Sequence, residues 1–419
     1  MPEPSLAVVT PYDRLTWSDD EIEALLASGE RRRELVAVFG ADFYADLASL
    51  ARMARRIGGA RGPRVWLLPG IMGSRLGKPR SNAEPADTLW LDPLDVIGGR
   101  LVELACTATP AAQSLGILHF SYLRLKLALT AAGYAVRSFD YDWRAGVEPL
   151  GAQFAQCLRQ ENRDFHIVAH SMGGLVARAA LQAAVLPRLQ RLVLLGTPNN
   201  GSWATVQALR GTYSVVRRLA QLDRLHDARR LAAEVFHGFQ CLYDLLPGAA
   251  TGEHRWLDLD AWPSAGLRPD RQRLKMASRL SAALAAADER CICIVGQGEP
   301  TVIAAQVRDQ ITYTVSRAGD GTVATAAAKL DGARCYFARC NHSQLTRAPE
   351  VAHAIADVLR HGETQRLSDR ELILTDSWQI DESELWALPS EKIDWARMSI
   401  EARRVFLDNL NEPLPGPAG

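Results

Sequence analysis

Between Arg64 and Arg360 the chain alternates short, nearly continuous apolar runs with longer stretches in which apolar residues recur at helical spacing. The runs are VWLL from Val65, AVRSF from Ala135, FHIV from Phe165, RLVLL from Arg191, CICIV from Cys291 and CYF from Cys335. A run that is apolar on both sides suits a parallel strand covered on both faces. Strands that alternate with helices predict an α/β chain with a doubly wound, mostly parallel sheet.

Two regions depart from that alternation. From Trp203 to about Arg290 the pattern is helical and mixed, with Arg217, Arg218, Arg224, Arg229 and Arg230 among leucines. An insertion of that size between late strands reads as a helical lid over a site, and its plain alternative is extra core packing. Near the start, Ser18-Asp19-Asp20-Glu21 has the form of a capping box, and the apolar spacing after it predicts two short helices broken near Gly40. The expected organisation is a helical extension over 1–60, a main domain over 61–362 with its lid at about 203–290, and a C-terminal extension over 363–419 that matches no module.

Functional loops of such a sheet lie at the C-terminal ends of its strands. There the chain places PGIMG after the first run, DYDWR after the second, AHSMGG after the third and GTPNNG after the fourth. Phe165 to Gly174 reads as a strand, a tight turn at Ser171 and a helix, with Ala169 and Gly173 as the small neighbours that a nucleophile elbow needs. A serine that merely caps a core helix would look the same locally, so the partners decide.

A serine hydroxyl becomes nucleophilic when a histidine takes its proton and a carboxylate orients that imidazole. In sheets of this kind the partners follow in the order Ser, acid, His. His226, His237 and His254 fall in the insertion, and His353 and His361 in or at the end of the closing helix; His342 alone follows a strand directly. His170, beside the serine, reads as a packed neighbour. Asp320, in Gly319-Asp320-Gly321, is the acid that fits the order, against the reading of an ordinary turn aspartate. The oxyanion donors are then the backbone N–H of Met172, at the start of the helix, and that of Met72 in the PGIMG loop, with Ile71 as its alternative.

Charge and composition narrow the partners. With 48 basic and 48 acidic residues nothing favours nucleic acid. The N-terminus has no basic start before a long apolar run, and no stretch is long and apolar enough to cross a membrane. The expected location is cytoplasmic, with transient contact at a membrane surface. Seven cysteines without a CxxC pair or a Cys/His cluster propose no metal, and no cofactor is expected. The N-terminal helices are a candidate surface for a protein partner.

Taken together, PGIMGSRL, the Trp90-Leu91-Asp92 step, YDWR, AHSMGG, LGTPNNGS, GDGTV and NHSQL, in that order, resemble the lecithin:cholesterol acyltransferase-like family of α/β-hydrolases. The resemblance covers roughly Arg64 to Arg360. It implies Ser171 as nucleophile, Asp320 as acid, His342 as base and Met72 with Met172 as oxyanion donors, in agreement with the reading of the residues. It also implies an acyl-ester substrate, often a phospholipid or neutral lipid, and a mobile lid. Ile71 and Trp90 are read as substrate contacts, and the first and last segments have no counterpart in the family. The rival readings are a small-ester carboxylesterase or lactonase, and a non-catalytic α/β-hydrolase scaffold acting as an interaction protein.

Overall fold

The structure, a computed structural model, describes residues 17–58, 62–79, 86–106, 112–252, 255–411 and 414. Its strands in chain order are β1 Arg64–Leu68, β2 Ser74–Lys78, β3 Asp87–Trp90, β4 Gln113–Ile117, β5 Ala135–Ser138, β6 Phe165–His170, β7 Leu189–Leu195, β8 Cys291–Gly296, β9 Thr301–Val307, β10 Ile311–Ser316, β11 Arg334–Ala338 and β12 Ser377–Asp381.

Six of them form the central sheet, in the order β11-β8-β7-β6-β1-β5, and every pairing is parallel. Successive side chains of a strand point to opposite faces. Val65, Leu67 and Val168 accordingly pack with Leu125 and Leu129 of the helix His119–Ala131 and with Ile355 of Pro349–His361. Trp66, Leu68 and Ile167 pack with Phe154 of Val147–Arg159 and Leu175 of Met172–Ala183 on the other side. The doubly wound sheet expected from the apolar runs is the one observed.

A further β-rich run, ITYTV from Ile311, follows CICIV in the chain but does not enter that sheet. β10 sits between β9 and β12 in a separate antiparallel sheet. Its alternation explains this: Ile311, Tyr313 and Val315 are buried while Thr312 and Thr314 are half-buried, the pattern of a strand with one covered face. Asp320 therefore follows a strand of the second sheet, whereas His342 follows β11 of the first.

The N-terminal segment forms three helices, Asp19–Ser28, Arg32–Phe39 and Ala41–Ile57, where the spacing predicts two. The additional break lies at Gly29 (φ 79°) and Arg31 (φ 52°), both left-handed. The capping box forms as read, with the Glu21 N–H donating to Ser18 Oγ and the Ser18 N–H to Glu21 Oε2. Ile22, Leu26, Leu35 and Leu47 bury against Leu123 and Leu127 of the helix His119–Ala131.

Between β7 and β8 the insertion is built of short helices, among them Trp203–Arg210 and Ser214–Leu222. After the helix Pro349–His361 the chain adds β12 to the second sheet and continues through the helices Glu382–Ala387 and Ile400–Asp408. Among the described residues no helix is long and apolar enough to cross a membrane.

Candidate active site

β6 is buried along its whole length and delivers Ser171 between β1 and β7. Ser171 has φ 54° and ψ −130° and begins the helix Met172–Ala183. A non-glycine residue there carries roughly 1–3 kcal/mol of backbone strain, which surrounding structure must hold in place. The Ser171 N–H donates to the Leu195 carbonyl at 2.8 Å, and the Gly174 N–H to the Ser171 carbonyl at 2.9 Å. Close approach requires glycine at Gly70: a Cβ there would stand 2.7 Å from Ser171 Cβ and 3.2 Å from its Oγ.

Asp320 and His342, one from each sheet, meet beside this elbow. His342 Nδ1 lies 2.7 Å from Asp320 Oδ2. Asp320 Oδ1 accepts from the N–H groups of Thr322 at 3.0 Å and Val323 at 2.7 Å. The His342 backbone N–H donates to the Asp320 carbonyl at 2.8 Å, so base and acid are tied through main chain as well. An ionised carboxylate only accepts, so Nδ1 is the donor and Nε2 keeps its lone pair. Gly196, at φ 52°, lets β7 pass beneath: a Cβ would lie 3.0 Å from Asp320 Oδ2 and 3.1 Å from His342 Nδ1.

The PGIMG loop is fixed on three sides. Trp90 Nε1 donates to the Met72 carbonyl at 2.9 Å, the Tyr141 hydroxyl donates to the Pro69 carbonyl, and the Gly70 N–H donates to the Tyr122 hydroxyl at 2.8 Å. Met72 itself has φ 62°. Tyr122 continues to His170, its hydroxyl 2.8 Å from Nδ1, and His170 Nε2 lies 3.1 Å from the His342 carbonyl. The His342 carbonyl can only accept, so Nε2–H donates to it, and Nδ1 of the neutral ring accepts from the Tyr122 phenol. Burial, then the neighbouring His342, holds the His170 imidazole well below its ordinary pKa, so it stays neutral as this chain of bonds requires. His170 is thus the packed neighbour that was expected, with a specific contact to each loop.

Ser171, His342, Ile71, Met72 and Trp90 line one cavity of about 190 Å³. Ser171 is 5% and His342 7% exposed, so both are buried in its wall. Apolar side chains, among them Leu118, Val215, Leu242 and Leu245, dominate its wall. Trp90 is largely buried, and its indole N–H is engaged by Met72. Met172, whose side chain is fully buried, is the first residue of the helix that follows Ser171 and is not among the residues lining the cavity. Among the described residues no group of three or more His, Cys, Asp or Glu is placed to hold a metal ion.

The family model Lecithin:cholesterol acyltransferase matches residues 122–270. Over that segment the chain is similar to the LCAT family. The LCAT match takes in β6, Ser171, the TPNNG loop and most of the insertion, and ends before Asp320 and His342. No curated protein matches the chain in sequence.

Among solved structures, Bacillus licheniformis lipase BlEst2 is similar at 15% identity. In its propeptide form 75% of this chain and 53% of that chain are covered with a TM-score of 0.38, and in its mature form 72% and 92% with a TM-score of 0.37. This chain thus spans about half the length of the propeptide form. Phospholipase PlaB from Legionella pneumophila is similar at 12% identity, over 73% of this chain and 61% of that chain, with a TM-score of 0.35. Overlaps this loose say nothing of substrate.

Reading the motifs missed several residues that hold the site. Tyr122 lies in an ordinary amphipathic helix and carries no local signal. Gly196 is visible only as a glycine at a strand end. Tyr213, Thr322 and Asn411 also line the cavity, and their positions in the chain give no reason to group them.

Proposed function

We propose that the chain is a serine-dependent acyl-ester hydrolase or O-acyltransferase of the lipase and phospholipase type. One observation carries the reading: an oriented Asp320–His342 pair and a backbone-strained serine at the strand-to-helix turn line the same apolar cavity. His342 Nε2 takes the Ser171 proton as Oγ attacks the ester carbonyl. The oxyanion that forms receives the N–H groups of Met72 and Met172, the latter at a helix N-terminus where the peptide dipoles favour negative charge. The protonated His342, stabilised by Asp320, then gives its proton to the departing alcohol and leaves an acyl-enzyme. Water or a lipid alcohol, deprotonated in turn by His342, releases the acyl group. The family name of the matching segment supports an acyl substrate, and the apolar wall supports a lipid chain over a polar one.

Product analysis by mass spectrometry tests this directly. The full chain and its Ser171→Ala variant are incubated with vesicles of mixed phospholipid and neutral lipid that contain a sterol acceptor. Free fatty acid with lysophospholipid from the parent alone marks a phospholipase, and acylated sterol marks a transferase. A second reading, a small-ester carboxylesterase, is favoured by the small volume of the cavity and would appear as rapid cleavage of short soluble esters without lipid turnover. Failure of Ser171 to label with a fluorophosphonate would leave only a non-catalytic scaffold.

A further inference from the structure

The floor of the cavity belongs to the central sheet, but part of its outer wall comes from the far end of the chain. Leu407, Asp408, Leu410 and Asn411 all line it, although they lie well outside the family match. The C-terminal extension reaches this place through a series of anchors, of which Glu382 and Arg403 are buried. Glu382 receives a bidentate pair of bonds from Arg210 of the insertion, both 2.6 Å. Lys392 Nζ donates to the carbonyls of Ala220 at 2.7 Å and His226 at 2.8 Å, and Arg403 Nε to the Trp395 carbonyl at 3.0 Å. The helix Ile400–Asp408 then carries Leu407 to the cavity, where Arg347 meets Asp408 at 3.4 Å.

Asn411 closes the arrangement. Its Nδ2 donates to Thr322 Oγ1 at 2.6 Å, and its Oδ1 accepts from the Tyr213 hydroxyl. Thr322 is on the loop whose N–H groups hold Asp320, and Tyr213 precedes the helix Ser214–Leu222 of the insertion. One amide therefore joins the acid loop, the insertion and the chain end. The side chains bound there leave about 190 Å³, less than the roughly 300–1,000 Å³ of sites for drug-sized ligands. Depth available to an apolar chain is limited by whatever forms the outer wall.

We infer that the segment Leu407 to Asn411 selects acyl-chain length, with Leu407 and Leu410 meeting the far end of the chain and Asn411 clamping the segment in place. This rests on the acyl-ester reading of the cavity. The inference is read by binding, without turnover, in the full chain carrying Ser171→Ala. A fluorescent fatty acid is displaced by saturated fatty acids from butyric to palmitic. Leu410→Trp lowers the ratio of palmitate to butyrate affinity by roughly tenfold or more, the effect of keeping about two methylenes out of an apolar site. Leu410→Ala raises the ratio, and Asn411→Ala flattens the dependence on length.

Unchanged ratios in both Leu410 variants overturn the inference, as does a parallel loss of affinity at all lengths, which would make the segment a support of the fold only. If no fatty acid displaces the probe while Ser171 of the parent labels with a fluorophosphonate and cleaves short esters, the selection by the chain end falls and the serine-esterase reading stands. If binding, labelling and cleavage are all absent, both fall.

Discussion

The two ends of this chain both cover the α/β core, and they do so in different ways. The N-terminal helices bury Ile22, Leu26, Leu35 and Leu47 on the outer face of the helix His119–Ala131 and supply no residue to the cavity beside Ser171. The C-terminal extension adds β12 to the second sheet, buries Glu382 against Arg210, and ends inside the cavity wall. An apolar cover can sit on any exposed apolar face, because burial has no direction. A cavity wall cannot, and the C-terminal segment is accordingly held by hydrogen bonds and ion pairs whose geometry admits one placement. One end contributes stability, and the other stability together with selectivity.

The largest expected effect separates both ends from the chemistry. Ser171→Ala should lower ester cleavage by about 10³-fold or more while the thermal unfolding temperature stays near that of the parent. If the activity survives, the cavity bounded by the C-terminal segment is not a reaction site, and the comparison loses its functional half.

Next comes Glu382→Ala, which leaves the Arg210 guanidinium buried without its partner. Removing one member of a buried pair is destabilising by about 3–5 kcal/mol, readable as a lower denaturant midpoint. The same variant should disturb the dependence of fatty-acid affinity on chain length. A loss of stability with that dependence intact would make the two ends equivalent covers.

Asp244 belongs to neither end and serves as an internal reference. Its carboxyl accepts from the Val147 N–H and from Gln240 Nε2, and burial raises its pKa to about 6 from 3.8. Because the folded value is raised, the stability linked to the protonated carboxyl is complete below 3.8 and is lost as pH rises through 6. Asp244→Asn should therefore gain on the parent by about 1.4 kcal/mol between pH 5 and pH 8 in urea unfolding. A gain independent of pH would mean that the carboxyl is ionised throughout.

The smallest effect is at the N-terminal end. Ser18→Ala removes the Oγ that accepts from the Glu21 N–H and should lower stability by about 1 kcal/mol. The chain-length dependence should not move. A shift there would show that the N-terminal helices reach the cavity through the helix His119–Ala131, and the contrast between the ends would weaken.

Much of the site was legible in the sequence because its signals are local. A nucleophile elbow needs a strand, small neighbours and a helix within ten residues, and Phe165 to Gly174 shows all three. Strand order and loop position then single out His342 and Asp320 from the other histidines and acids, and the two side chains do meet at 2.7 Å. Less local features were not legible. The run at Ile311 looks like one more strand, and only pairing with β9 and β12 excludes it from the central sheet. The N-terminal break was marked by Gly29, a left-handed helix end of the usual kind, and continuous apolar spacing on both sides concealed it.

By itself, then, the amino-acid sequence determined the parallel sheet and the strand, turn and helix around Ser171, and it pointed to the pair Asp320 and His342 that the fold brings together, since each depends on residue type and short-range spacing. Tertiary structure alone decided that Tyr122 and His170 link the PGIMG loop to His342. It also decided that the last turn of the C-terminal helix and Asn411 bound the cavity. Those contacts join residues far apart in the chain, and which groups meet across such distances is set by how the layers pack, which no local pattern records.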